Sequence, residues 1–264
     1  MIDERQSRVT MYSVLCMGGT GEHEPAGGNT KAWGMLSYVT GALPSANFQG
    51  ESVAYPATFF TPQSEAQSIQ TGVANLAAAV RQAPYPAIVT GYSQGAQVVR
   101  TLLSQIGAGQ HPALQVVAAG LVADPWRPEG IQEGPSLSGY GIAGEGSPWP
   151  SNIGVWEIAS AGDAICNSPA DSLLRPLGAS LPFLQVTDPQ SWVATVMDNV
   201  KELAAEVTPT DLPTVARVRD ASLGLLGYLT GQHTLYDTAL FPGTSRTYCE
   251  HLADLITAEF GNKA

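Results

Sequence analysis

One five-residue run, Gly91-Tyr92-Ser93-Gln94-Gly95, restricts the fold of this chain more than any other feature. The mostly apolar residues 86–90 before it predict a short buried strand. Residues 94–106 after it carry apolar side chains at helical spacing. A serine between a strand and a helix, with a glycine two positions away on either side, is the pattern of a nucleophile elbow. The run therefore predicts that Ser93 is an activated nucleophile at the tip of a tight turn.

Strands and helices alternate along the first two thirds of the chain. Each predicted strand is short and mostly apolar, which is typical of a parallel sheet with helices on both faces. The chain has 264 residues, and we interpret 1–264 as a single α/β domain. Besides the elbow strand, strands are predicted at 9–16, 51–55, 114–122 and 153–159, and a helix at 62–83.

The pattern changes at residues 189–230, where no strand is predicted. Helices are predicted there at 192–207 and 211–229, and both carry more apolar surface than an isolated helix can hide from water. We therefore interpret 189–230 as a helical insertion, a lid or linker within the domain. A last helix is predicted at 244–260.

The composition excludes several kinds of partner. Only 13% of the residues are charged and the formal net charge is −11, so binding to nucleic acid or anionic membranes through charge is not expected. The longest apolar run, 116–123, is too short to span a bilayer. The first residues lack the layout of a signal peptide, so synthesis in the cytoplasm is expected. The oligomeric state stays open, with a monomer as the expectation.

The three cysteines, Cys16, Cys166 and Cys249, are odd in number and widely spaced. Such a set predicts neither a metal site nor a disulfide framework. One bridge stays open as an alternative, and buried free thiols are the favoured interpretation.

A serine nucleophile needs a histidine base within hydrogen-bond reach. His233 is the favoured base because it lies in a predicted loop just before the last helix. His251 lies inside that helix and is the second candidate. His23 precedes the serine and His111 lies just past the elbow helix, so both are set aside.

The acid that orients the base is expected to follow a late strand of the sheet. Asp163 follows the predicted strand 153–159 and is favoured. Asp124 follows 114–122, one strand earlier, and is the alternative. It is also explained as a turn residue ahead of Pro125.

A glycine-rich turn, Met17-Gly18-Gly19-Thr20-Gly21-Glu22, follows the first predicted strand. Its spacing does not meet the Gly-x-Gly-x-x-Gly pattern of dinucleotide-binding loops. We expect the backbone N–H groups of Thr20 and Gln94 to form an oxyanion hole beside the serine. No cofactor and no metal are expected for this chemistry.

The elbow run extended by Ala96, together with Gly162-Asp163-Ala164-Ile165-Cys166, resembles the motifs of the cutinase-like serine esterases. The resemblance implies a cutinase-like α/β-hydrolase fold, with Ser93, Asp163 and His233 as the catalytic triad. Compact cutinases pair the cysteine of the second motif with one a few residues upstream. This chain has no such partner for Cys166.

The chain also resembles the phage lysin B proteins in its long insertion before the base and in the absence of a signal peptide. Three runs are similar to those of lysin B proteins as well, namely Gly19-Thr20-Gly21, Asp124-Pro125-Trp126-Arg127 and His233-Thr234-Leu235-Tyr236. Lysin B proteins are mycolylarabinogalactan esterases. The resemblance implies that the chain cuts the ester between mycolic acids and arabinogalactan during phage-induced host lysis, acting on the host envelope after release. The alternatives are a cutinase or lipase-type carboxylesterase for other lipid esters, and a catalytically inactive lipid-binding module.

Overall fold

The computed structural model describes five stretches of the chain, 10–24, 31–58, 63–172, 174–175 and 231–261. The predicted helical insertion at 189–230 lies outside the described residues, so its role as a lid or linker stays a prediction. Within the five stretches, no helix is long and apolar enough to cross a bilayer.

The described residues form five strands, four α-helices and a 3-10 turn. The strands are β1 (Tyr12–Met17), β2 (Phe48–Ser52), β3 (Ala87–Tyr92), β4 (Val116–Val122) and β5 (Gly154–Ile158). The helices are α1 (Leu36–Ala42), α2 (Glu65–Gln82), α3 (Gln94–Gly107) and α4 (Tyr248–Phe260), and the 3-10 turn is Gln232–Thr234.

All five strands are parallel and lie in the order β2-β1-β3-β4-β5. Successive side chains of β1 enter two different cores: Val14 and Cys16 pack with residues of α1 and α4, whereas Leu15 and Met17 pack with residues of α2 and α3. This alternation places helices on both faces of the sheet. The predicted parallel sheet flanked by helices is confirmed.

Helices α2 and α4 both begin with a capping box, which sets where they start. The Ser64 hydroxyl accepts the Gln67 N–H, while the Gln67 side chain accepts the Ser64 N–H. Thr247 and Glu250 make the same pair of bonds at α4. Because these reciprocal bonds satisfy donors at the helix start, α2 and α4 begin three and four residues later than the predicted starts at 62 and 244.

Strand β2 lies at Phe48–Ser52, so the predicted bounds 51–55 were wrong. The buried Phe48 pairs with Tyr12 and anchors the beginning of the strand. The ladder ends at Ser52, and Tyr55 instead donates its hydroxyl proton to the Gly18 carbonyl at 2.6 Å. An aromatic residue expected in a strand thus supports the loop after β1.

The sheet brings together the loops that carry the predicted site. Strands β1 and β3 are neighbours although β2 lies between them in the chain, so the chain order reverses there. In open parallel sheets this reversal leaves a crevice at the carboxyl ends of the strands. Thr20 follows β1 and Ser93 follows β3 at this crevice, while Asp163 follows β5.

Candidate active site

Ser93 occupies a strained turn between β3 and α3. Its backbone has φ 55° and ψ −119°, a region that residues with a side chain rarely adopt. Its N–H donates to the Val122 carbonyl at 2.9 Å and ties the turn to β4. A Cβ on Gly91 would collide with the Gly95 carbonyl, and one on Gly95 would collide with the Met17 carbonyl. Close backbone approach therefore requires both glycines of the elbow.

The structure brings together the three side chains predicted for the triad. Ser93 Oγ lies 2.8 Å from His233 Nε2, and His233 Nδ1 lies 2.8 Å from Asp163 Oδ2. Since an ionised Asp163 only accepts, Nδ1 carries the proton and Nε2 is left to accept from the serine. Asp163 is 1% exposed and His233 is 9% exposed, so the pair is shielded from water.

Asp163 is a buried carboxylate with several donors. Burial raises its pKa, but the charge of His233 and the hydrogen bonds from His233 and from the Ile165 N–H and the Tyr236 hydroxyl lower it. The two latter bonds are 3.0 Å and 2.8 Å long. The pKa of Asp163 therefore lies below its ordinary value, and the side chain is ionised at neutral pH.

The turn that carries His233 is fixed by its neighbours. Gly231 has φ 84°, a conformation that glycine adopts without strain, and its carbonyl accepts the Thr234 N–H at 2.8 Å. Tyr92 donates its hydroxyl proton to the His233 carbonyl at 2.7 Å, and the two rings stack with centroids 5.4 Å apart. Because Tyr92 directly precedes Ser93, one residue links the nucleophile to the base.

The loop after β1 lies against the elbow. A Cβ on Gly19 would lie 3.5 Å from the Cβ of Ser93. As the first residue of α3, Gln94 has no carbonyl one turn back for its N–H. Among the described residues, nothing accepts from the N–H groups of Gln94 or Thr20. Their role as oxyanion donors stays a prediction.

Side chains hold this loop in place. The Gln94 amide nitrogen donates to Thr20 Oγ1 at 3.3 Å and to the Thr58 carbonyl at 2.8 Å. The Ser68 hydroxyl donates to the oxygen of the same amide at 2.9 Å. The Glu22 carboxylate accepts the N–H of Gly19 at 2.9 Å. Sequence reasoning missed the Gln94 and Glu22 side chains, because no spacing motif marks such contacts.

Asp124, the alternative acid, belongs to a buried ion cluster. Its Oδ2 accepts from Arg100 Nε at 2.7 Å, and its Oδ1 accepts the Trp126 N–H at 2.8 Å, as in a turn. Arg100 also pairs with Glu157, and all three charged side chains are at most 1% exposed. Burial and the charge of Asp124 raise the pKa of Glu157 well above its ordinary value. The charges of Arg100 and Arg127 act in the opposite direction and lower the pKa of Glu157.

The other histidines have other surroundings. The His251 ring stacks on Phe241 with centroids 3.7 Å apart, and burial lowers its pKa. His111 Nε2 lies 2.9 Å from Gln105 Oε1, and His23 is exposed. Of the four histidines, His233 alone is hydrogen-bonded to Ser93 within the described stretches.

Arg127 links the loop of Asp163 to the surface segment before it. The guanidinium group is fully buried, and no described carboxylate pairs with it. It donates instead to six oxygens of the two segments, namely the carbonyls of Pro128 (3.0 Å), Ile131 (3.2 Å), Gly139 and Cys166 (2.8 Å) and the side-chain oxygens of Gln132 (3.0 Å) and Asn167 (3.4 Å).

All three cysteines are buried and unpaired, which confirms the interpretation as free thiols. Cys166 Sγ lies 3.2 Å from the Tyr236 hydroxyl and 3.5 Å from Asp163 Oδ2. Burial and the charge of Asp163 raise the pKa of this thiol well above its ordinary value, which disfavours the reactive thiolate form. Over the described residues, no cluster of His, Cys, Asp and Glu could hold a metal ion.

Comparisons with known proteins gave one family match and several matches to solved structures. A family model described as "PE-PPE domain" matches residues 46–134, a segment that contains the elbow. A search of the curated proteins found no match. Lysin B from Mycobacteriophage D29 matches with 16% identity and a TM-score of 0.53, over 94% of this chain and 99% of that one.

Two other solved structures are less similar in fold. An acetylxylan esterase matches with 20% identity over 65% of this chain and 92% of its own, with a TM-score of 0.43. A cutinase-like protein from Cryptococcus sp. matches with 16% identity over 86% and 97%, with a TM-score of 0.44. The match to lysin B shows that the two chains share a fold, and the assembled serine, histidine and aspartate of this chain have the geometry of a catalytic triad.

Proposed function

We propose that this chain is a serine esterase, with Ser93 as nucleophile, His233 as base and Asp163 as the acid that orients the base. The observation that carries the proposal is the continuous line of hydrogen bonds from Ser93 to Asp163, in which both contacts are 2.8 Å long. His233 Nε2 takes the serine proton while Ser93 Oγ bonds to the ester carbonyl carbon. The ionised Asp163 stabilises the imidazolium that forms.

The collapse of the tetrahedral intermediate completes acyl transfer. His233 gives its proton to the leaving alkoxide oxygen, and the acyl group stays on Ser93. A water molecule then gives a proton to the same nitrogen and attacks the acyl carbon. The bond from the acyl carbon to Ser93 Oγ then breaks, and His233 gives the proton to that oxygen. The ester and one water have yielded an alcohol and a carboxylic acid, and Ser93 is regenerated.

The N–H groups of Thr20 and Gln94 stabilise the oxyanion of both tetrahedral intermediates. Donors of this kind contribute on the order of 3 kcal/mol each. The N-terminus of α3 adds its partial positive charge at the same place. The loop contacts of Gln94 and Glu22 keep the two donors in position before substrate arrives.

As substrate we propose the ester between mycolic acids and arabinogalactan, cut during phage-induced host lysis. The support is the agreement in fold with lysin B from Mycobacteriophage D29 over nearly the full length of both chains, together with the sequence runs that resemble those of lysin B proteins. Synthesis in the host cytoplasm and action on the host envelope after release belong to the same proposal. The proposal also includes a monomeric protein that has this lipid ester as its partner.

A second candidate is a carboxylesterase that acts on other lipid esters. The PE-PPE match favours this candidate, because the matched segment contains the elbow and the family model is not one of lysin B proteins. A catalytically inactive lipid-binding module is the remaining alternative, and the complete triad speaks against it.

One experiment separates these candidates. The wild type and Ser93→Ala are incubated with isolated mycobacterial cell walls, with a triglyceride emulsion and with p-nitrophenyl butyrate. Release of mycolic acids by the wild type and not by Ser93→Ala is the expected result. Hydrolysis of triglyceride without mycolic acid release would favour the second candidate. Turnover of none of the three substrates would contradict the esterase itself.

A further inference from the structure

The Tyr236 hydroxyl lies 2.8 Å from Asp163 Oδ2, the same oxygen that accepts His233 Nδ1–H. The Ser160 N–H donates to this hydroxyl at 3.1 Å. Because a backbone N–H only donates, the phenolic proton points elsewhere, and a carboxylate is the strongest acceptor within reach. Tyr236 therefore donates to the acid of the candidate triad.

The packing of Tyr236 prevents this donor from turning away. The side chain is 1% exposed, and its ring packs edge-on against Tyr248 with centroids 5.2 Å apart. The Cys249 N–H fixes its backbone by donating to the Tyr236 carbonyl at 3.0 Å. Burial and the charge of Asp163 raise the pKa of Tyr236 well above its ordinary value, so the hydroxyl keeps its proton.

We propose that Tyr236 is a positioning residue of the acid–base pair, whose hydroxyl holds Asp163 Oδ2 towards His233 and shares the carboxylate charge with the imidazole. The inference rests on the proposed esterase function. The Cys166 thiol also faces this oxygen, with Sγ 3.5 Å from Asp163 Oδ2 and 3.2 Å from the Tyr236 hydroxyl. A carboxylate held in this way cannot rotate without breaking its bonds to His233 and Tyr236. It also attracts the imidazolium form of His233 less strongly than a carboxylate with one donor would, so Tyr236 helps to set the pH below which activity is lost.

The variant Tyr236→Phe tests this proposal, because it removes the donor and keeps the ring. Without the Tyr236 bond, the undivided charge of Asp163 favours protonated His233. The acid limb of the kcat/KM profile is therefore expected to move to higher pH by about half a unit. We also expect kcat for p-nitrophenyl butyrate to fall roughly tenfold with KM unchanged.

Tyr248→Phe is the matched control, since it removes the hydroxyl of a neighbouring buried tyrosine, and that hydroxyl makes no hydrogen bond with any described residue. Its acid limb is expected to coincide with that of the wild type. An acid limb that is unchanged in Tyr236→Phe would overturn the proposal, even if the variant were less stable or less active. If Tyr236→Phe does not fold, 3-fluorotyrosine at position 236 decides instead. This stronger donor must lower the acid limb, and an unmoved limb would overturn the proposal.

A proton NMR measurement separates this inference from the proposed function. The low-field signal of His233 Nδ1–H must move in Tyr236→Phe and stay in place in Tyr248→Phe. If the wild type hydrolyses no ester, the proposed function fails, while this signal still decides whether Tyr236 acts on the acid–base pair. A signal that does not move would overturn the inference alone.

Discussion

The Ser93 hydroxyl oxygen lies 2.8 Å from His233 Nε2, although the two residues are 140 positions apart in the chain. The contact is built from two independent local structures. The elbow after β3 fixes Ser93, and the 3-10 turn before α4 fixes His233. Tyr92 couples the two, because it lies next to Ser93 and donates to the His233 carbonyl.

We expect Ser93→Ala to lose esterase activity and to remain folded. The substitution removes the atom that attacks the ester, and triad losses cost on the order of 10⁴-fold in rate. The backbone at position 93 keeps its bond to Val122, so the circular dichroism spectrum is expected to match that of the wild type. Hydrolysis of p-nitrophenyl butyrate by a folded variant at the wild-type rate would refute the assignment.

We expect His233→Ala to be inactive and His251→Ala to remain active. His233 is the base in contact with Ser93, whereas His251 stacks on Phe241. Loss of that stacking is expected to cost about 1 kcal/mol of stability without changing kcat. The measurement is kcat/KM beside the melting temperature for both variants. Inactivation of a folded His251→Ala alone would reverse the assignment of the base.

We expect Gln94→Ala to lower kcat at least tenfold with little change in KM, since an oxyanion donor acts mainly in the transition state. The backbone N–H of position 94 remains, but the amide that holds Thr20 and Thr58 is lost. Gln97→Met is the control, because Gln97 is buried one turn further along and its Oε1 has no partner among the described residues. Equal kcat values for both variants would mean that the Gln94 side chain does not support the loop.

We expect Glu157→Gln to make stability less dependent on pH. Burial raises the folded-state pKa of Glu157. The protonated side chain therefore adds to the free energy of unfolding, and this contribution is fully present below the unfolded pKa of about 4.3 and is lost as pH rises through the folded value. Glutamine cannot ionise. The free energy of unfolding of the variant, relative to wild type, should therefore increase from pH 5 to pH 8 in urea titrations. The exposed Glu259→Gln serves as control, and a pH-independent difference for Glu157→Gln would contradict the prediction.

The sequence predicted the sheet, the elbow and the order serine, acid, base because each depends on a local pattern or on chain order. It did not predict α1, whose seven residues include Val39, Thr40 and Gly41 and give too weak a helical signal. Nor did it predict the role of Tyr236, which lies 73 positions from Asp163. Such contacts depend on how separate loops meet, and residue spacing carries no information about that.

Arg127 couples the local unfolding of two loops, residues 128–141 and the segment after Asp163. Its bonds to Gly139 and Cys166 join residues 128–141 to the segment after Asp163, so neither can detach from the protein without the other. Amide hydrogens in both are then expected to exchange with solvent together, at nearly equal protection, and later than those of an ordinary surface loop. The acid of the triad lies in one of these loops, so its amide hydrogen is expected to exchange more slowly than those of an ordinary surface loop.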